Sequence, residues 1–187
     1  PIMRESVKFY TQWLTYDDKQ KRLVSTPTYS PEHGPVTIGN TYEQSLIEQL
    51  YKDFLVSARA LDCDKELYEK VKEQLKLLKP FSISEKTGLL KEWFEEDDEN
   101  FDHSKTQKNH RHISHLMGLY PGKAITEREP ELMQAAQNTL NDRGDESTGW
   151  ARAYKLNLWA RVKDGGRAYS ILQGLLKGCT FDNLFDF

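Results

Sequence analysis

The segment NHRHISHLMGLYPG, residues 109 to 122, places His110, His112 and His115, three of the chain's five histidines, within six residues and sets Arg111 between the first two. Imidazoles at that density could hold a metal, trade protons, or form a polar seam in a core. A zinc protease helix needs two histidines four apart with a glutamate between them as base, and that pattern is missing. His112 and His115 are three apart and could share a helix face, but His110 would point elsewhere, and no Asp, Glu or Cys in the segment completes a ligand set. No metal is expected here. His115 with Leu116 and Leu119 reads instead as the inner stripe of a short helix, with the ring hydrogen-bonded inside it. Arg111 and His112 fall where that helix begins, and a fork of donors beside an imidazole suits the hydroxyls of a neutral polar ligand.

A second candidate is Glu32 in STPTYSPEHGP, which follows a proline and is flanked by Tyr29 and His33. A lone loop glutamate is usually solvated. One partly enclosed by aromatic and proline surface would have its pKa raised and could act as a general acid. No GxSxG elbow, phosphate-cradling glycine loop or reactive-cysteine motif competes with it. Trp93 and Trp150 could each offer a stacking face to a sugar, Trp93 with more claim because Trp150 belongs to a segment that reads as buried on most sides.

The elements that must position these residues read as helices. Met3, Val7, Tyr10 and Leu14 recur at helical spacing, and a long stretch from Tyr16 to Asn40, with Pro27, Pro31, Pro35, Gly34 and Gly39, reads as a loop. Asn40 and Glu43 make a capping box for a helix carrying Ile47, Tyr51, Phe54, Ala58 and Leu61 on one face. DKELYEKVKEQLKLL predicts another, closed by Pro80, whereas SISEKTGLLKEWFEEDDENFD is ambiguous and its acidic run reads as a solvated face. TEREPELMQAAQNTLNDRG, GWARAYKLNLWARV and RAYSILQGLLKG complete the set, the middle one apolar nearly all round. Alternating strands and fixed-period repeats are not evident, so the expected fold class is all-α, an array of helical hairpins.

Composition narrows the function. A net charge of −3 and no lysine and arginine cluster give nucleic acid and membrane surfaces little to bind. No apolar run is long enough to span a bilayer, and the N-terminal residues lack the apolar core of a signal peptide. Cys63 and Cys179 lie far apart and read as free, packed thiols. A start at Pro1 suggests a piece of a longer chain.

On five motifs in order, the sequence resembles the α-L-fucosidases of glycoside hydrolase family 95. They are TPTYSPEHGPVTIGNTYEQSLIEQLY, GLLKEWFEED, NHRHISHLMGLYPG, STGWARAYKLNLWAR and NLFDF, and together they run through most of the chain. The resemblance implies a catalytic domain built as an (α/α)6 barrel, of which residues 1–187 would supply about half. It implies hydrolysis of terminal α-linked L-fucose from glycans with inversion and without metal or cofactor, the α-1,2 linkage being the expected one. Glu32, at the family's SPE position, would be the general acid, and Arg111 and His112 would hold fucose hydroxyls, with Trp93 at the substrate.

The family's water-activating asparagine pair and the aspartate that polarises it would lie upstream of Pro1 and just beyond Phe187, so this chain alone is expected to be inactive. A partial barrel would also expose helix faces through which copies could self-associate. Two alternatives stay open at this point: an α-L-galactosidase of the same family, since a pocket rejects one added hydroxyl weakly, and a non-catalytic carbohydrate-binding helical module. A parent protein that is secreted or at the cell surface fits a glycan substrate. The fucosidase reading carries one strict demand: the fold must bring Glu32 to His112.

Overall fold

The structure, a computed structural model, describes residues 1–186. Among them six α-helices account for most of the regular structure: α1 (Ile2–Trp13), α2 (Thr41–Leu61), α3 (Lys65–Leu77), α4 (Pro130–Arg143), α5 (Gly149–Arg161) and α6 (Gly165–Gly178). Local signals explain their limits. The Asn40 side chain accepts the Glu43 N–H at 2.8 Å, satisfying one of the unpaired donors that open α2. Pro130 occupies the first turn of α4, where its missing N–H costs nothing, and Gly144 ends that helix at φ 64°.

Two apolar clusters hold the helices. One joins α1, α2 and α3 through Val7, Ile47, Tyr51, Phe54, Ala58 and Val71. The other joins α4, α5 and α6 through Ala136, Leu140, Leu158, Trp159 and Ile171, and takes in Ile113, Leu116 and Leu119 of the histidine segment. The region between them is lined with buried polar side chains, among them Ser30, His33, Asn40, Gln44, Glu92 and His115.

Three expectations need correction. The fold is broadly helical but not purely so, because the segment read as an unstructured loop contains two antiparallel hairpins. β1 (Thr15–Asp17) pairs with β2 (Arg22–Val24), and β3 (Thr28–Tyr29) pairs with β4 (Val36–Thr37). Strands of two or three residues are too short to show an alternating pattern. The ambiguous stretch 82–102 forms no helix. It threads between α2 and α4, with Thr41 N–H donating to Glu92 O at 3.0 Å and Leu90 N–H to Thr139 Oγ1 at 3.0 Å. Its acidic run is half-buried from Glu95 to Asp97 and exposed at Asp98 and Glu99, whereas Glu92, just before it, is buried.

The third correction concerns α5. It buries Ala151, Lys155, Leu158 and Trp159 but leaves Trp150 76 % exposed, so it has an open face that its composition does not show. Within the terminal NLFDF motif, Asp186 sits so close to Gly149 that a Cβ there would lie 1.8 Å from its carboxylate, while Phe187 lies outside the described residues. No helix among the described residues is long and apolar enough to cross a membrane.

Candidate active site

Glu32 sits on the turn between β3 and β4, on the surface rather than in an enclosed pocket. Its carboxylate faces the segment that precedes a short 3-10 helix, Ser114–Gly118. Arg111 donates from Nη2 to Glu32 Oε2 across 79 residues of sequence, and His112 Nε2 lies 3.4 Å from the same oxygen. The three side chains are 56 %, 45 % and 30 % exposed in the order Glu32, Arg111, His112, so all remain open to a ligand. A carboxylate, a guanidinium fork and an imidazole thus share one surface, with donors and acceptors side by side that could meet a polar ligand.

The Glu32 turn is fixed from both sides. Gly34 adopts φ 87°, a conformation that favours glycine, and an added Cβ would come within 2.3 Å of the Trp93 ring. Gly34 N–H donates to Lys105 O at 2.9 Å, and His33 Nδ1 accepts the Gln107 N–H at 3.1 Å. That acceptor role leaves the His33 ring hydrogen on Nε2, which points toward Glu92. Trp93 is 5 % exposed, packed against Gly34, His33 and Phe101. Its ring lies under the turn as support instead of facing solvent as a stacking surface, the physical reason being the close approach that Gly34 permits.

Below this surface lies Glu92. Oε1 accepts the Ser30 hydroxyl at 2.6 Å and stands 3.1 Å from His33 Nε2. Oε2 accepts from Arg143 Nη2 at 2.7 Å and stands 3.3 Å from His115 Nδ1. The two ring nitrogens are in Coulombic contact but off the hydrogen-bond axis. Arg143 also donates from Nη1 to the carbonyls of His110, at 3.2 Å, and His112, at 3.0 Å, which bracket Arg111. His110 stacks on His33 at 4.3 Å between centroids and accepts the His112 N–H.

The electrostatics follow from this packing. Burial would raise the Glu92 carboxyl, but His115, His33, Arg143 and the Ser30 hydroxyl together outweigh it and bring it down to about 2. Burial in turn lowers His115 to about 4, against the pull of Glu92. At neutral pH His115 is therefore uncharged, and the cation that holds Glu92 ionised is Arg143. Glu96, half-buried beside them and accepting the N–H groups of Glu92 and Trp93, is pushed up to about 7 by desolvation. Burial also lowers His110, with His33, His112 and Arg111 adding to it. Among the described residues no group of three histidine, cysteine, aspartate or glutamate side chains is set to hold a metal ion.

The glycosyl hydrolase family 95 catalytic domain matches the chain along residues 1–187. The chain belongs to that family. It is 33 % identical over 183 residues to α-L-fucosidase 2 of Arabidopsis thaliana, an alignment covering 92 % of this chain and 21 % of the plant protein. It is 32 % identical over 171 residues to a probable α-fucosidase A of Aspergillus oryzae, covering 84 % and 23 %. With the probable α-fucosidase A of Aspergillus niger it shares 31 % over 200 residues, covering 100 % and 24 %. This family 95 chain therefore spans about a fifth to a quarter of the length of these curated relatives.

Within the family 95 chain, sequence reasoning singled out Glu32, Arg111 and His112, which meet, and Trp93, which lies beneath them. It missed Glu92 and Arg143. A signal for Glu92 was present in its apolar flanks, Leu89 and Leu90 before it and Trp93 and Phe94 after it, which are unusual company for a solvated acid.

Proposed function

We propose that this family 95 chain supplies the acid side of an active site that hydrolyses terminal α-linked L-fucose, in α-1,2 linkage, from glycans with inversion. The observation that carries the reading is the convergence of Glu32, Arg111 and His112 on one open surface. The names of the relatives add the sugar. Arg111 and His112 hold fucose hydroxyls, and Glu32 gives its proton to the glycosidic oxygen as the bond to the anomeric carbon breaks. Water attacks from the opposite face, activated by a group roughly 6.5–9.5 Å from the acid. Because the chain covers only part of its relatives, that group belongs on this reading to the rest of a larger protein. Residues 1–187 then make up about half of an (α/α)6 barrel, and the chain alone turns over essentially no substrate.

Apolar side chains left open on the helices support the same architecture. Ile2, Phe9 and Trp13 share a face of α1, and Tyr169, Leu172 and Leu176 share a face of α6. Isolated copies are expected to associate through these stripes, giving a scattering mass above that of a monomer. The deciding assay compares this chain, the whole protein and its Glu32→Gln variant on a 2′-fucosylated oligosaccharide. Turnover by the whole protein, its loss in the variant and none from the chain alone are expected. Robust turnover by the chain alone, or an unimpaired variant, refutes the proposal.

A further inference from the structure

Glu92 is 3 % exposed and sits beneath the surface where Glu32, Arg111 and His112 meet. Its two carboxylate oxygens face different parts of the chain. Oε1 is held by Ser30 and contacted by His33, which lie on either side of Glu32 in sequence. Oε2 is held by Arg143, whose other nitrogen bonds the carbonyls on either side of Arg111, and is contacted by His115. Ser30 Oγ and Ser114 Oγ, 2.9 Å apart, close the circuit between the two segments. One buried anion thus joins the turn that bears the acid to the segment that bears the sugar-binding cation.

We infer that Glu92 is a positioning residue, setting Glu32 against Arg111 and His112 without touching substrate. The inference rests on the reading of Glu32 as general acid. An acid must come within hydrogen-bond reach of the oxygen it protonates, and a misplacement of about 1 Å costs on the order of 100-fold in rate. A glutamine in place of Glu92 keeps the volume, but it removes the charge that faces Arg143 and turns one acceptor into a donor. Arg143 can only donate, so the amide oxygen stays with it and the NH2 turns toward Ser30 and the His33 Nε2–H, which displaces the turn that bears Glu32.

Leaving-group dependence tests this on the whole protein, because a misplaced acid matters only where the departing oxygen needs a proton. Glu92→Gln is expected to lower kcat on a 2′-fucosylated oligosaccharide by about 100-fold with little change in KM. Its loss on α-L-fucosyl fluoride, which leaves without that help, should stay under about 3-fold. Equal losses on both substrates in a folded variant, or no loss on either, overturn the assignment. Glu32→Gln is run on the same pair. If it lacks the selective loss, Glu32 is not the acid and Glu92 has nothing to position; if it shows the loss and Glu92→Gln does not, the inference fails while the reading of Glu32 stands. Should Glu92→Gln not fold, Ser30→Ala removes one tie to the same carboxylate and must show the selective pattern at about 3- to 10-fold; unselective loss or no loss there is equally fatal.

Discussion

His112 Nε2 and Glu32 Oε2 lie 3.4 Å apart on an open surface, although one precedes a 3-10 turn and the other tips a two-residue hairpin. Neither element could hold its residue unaided. A hairpin of this size is not stable alone, and a short 3-10 turn has little cooperativity. Their relative placement comes from the buried polar region behind them.

Arg111 offers the first prediction. Its guanidinium spends Nη2 on Glu32 and has other donors left for sugar hydroxyls on the proposed reading, so Arg111→Ala in the whole protein should raise KM for a fucosylated oligosaccharide by about 10- to 100-fold, the worth of a charge-assisted hydrogen bond. Steady-state kinetics would show it. An unchanged KM with a collapsed kcat would place Arg111 in the chemical step instead of in binding.

Glu96 should make the chain less stable as pH rises. Its folded pKa is pushed up to about 7 from an ordinary 4.5, so between those values the unfolded chain releases a proton that the folded chain keeps. Stability falls across that window, by an amount on the order of 3 kcal/mol. Glu96→Gln removes the burden, and its stability gain over the parent sequence should grow from pH 5 to pH 8 in urea unfolding. A gain that is flat with pH would contradict this.

His115 acts in the opposite sense. Its folded pKa is about 4 against an ordinary 6.5, so on acidification the unfolded chain takes up a proton first. Stability is lost as pH falls from about 6.5 to about 4. Over the shared range the two groups offset each other, and the parent sequence should show a shallow profile. The Glu96→Gln variant should expose the falling limb on acidification, and His115→Asn should expose the rising one; profiles that match the parent in both would rule out the pairing. Glu92 adds a further loss in acid, as pH drops from about 4.5 toward about 2.

Gly34→Ala tests the seat of the Glu32 turn. The new methyl would need a backbone conformation that alanine rarely adopts and would meet the Trp93 ring at 2.3 Å. A cost of about 1–3 kcal/mol follows. Thermal melting should register it, together with a loss of kcat in the whole protein as the turn lifts. A variant with unchanged melting temperature would mean that Trp93 yields freely.

Much of the helical framework could be read because its signals are local. The Asn40–Glu43 cap, the Pro130 start and the Gly144 stop are all written in adjacent residues. The hairpins escaped because each strand is shorter than one cycle of alternation. Trp150 was misread for a different reason: the composition of α5 says how apolar the helix is, but not which neighbours cover it. Glu32, Arg111 and His112 were picked out by residue type and by resemblance, yet no spacing rule reports that residues 79 positions apart will touch. Glu92 stayed hidden because its apolar flanks hint at burial without naming its partners, four side chains drawn from three separate segments.

The polar region between the two apolar clusters carries one more consequence. Glu32 is mounted on the side of the joint nearer α2, whereas Arg111 and His112 are mounted on the side nearer α4, and the Ser30–Glu92–Arg143 hydrogen bonds run between them. On warming, water should enter such a joint before either cluster melts. Activity would then disappear at a temperature where circular dichroism still reports intact helices, and heat resistance would be gained by tightening the joint sooner than by enlarging either core.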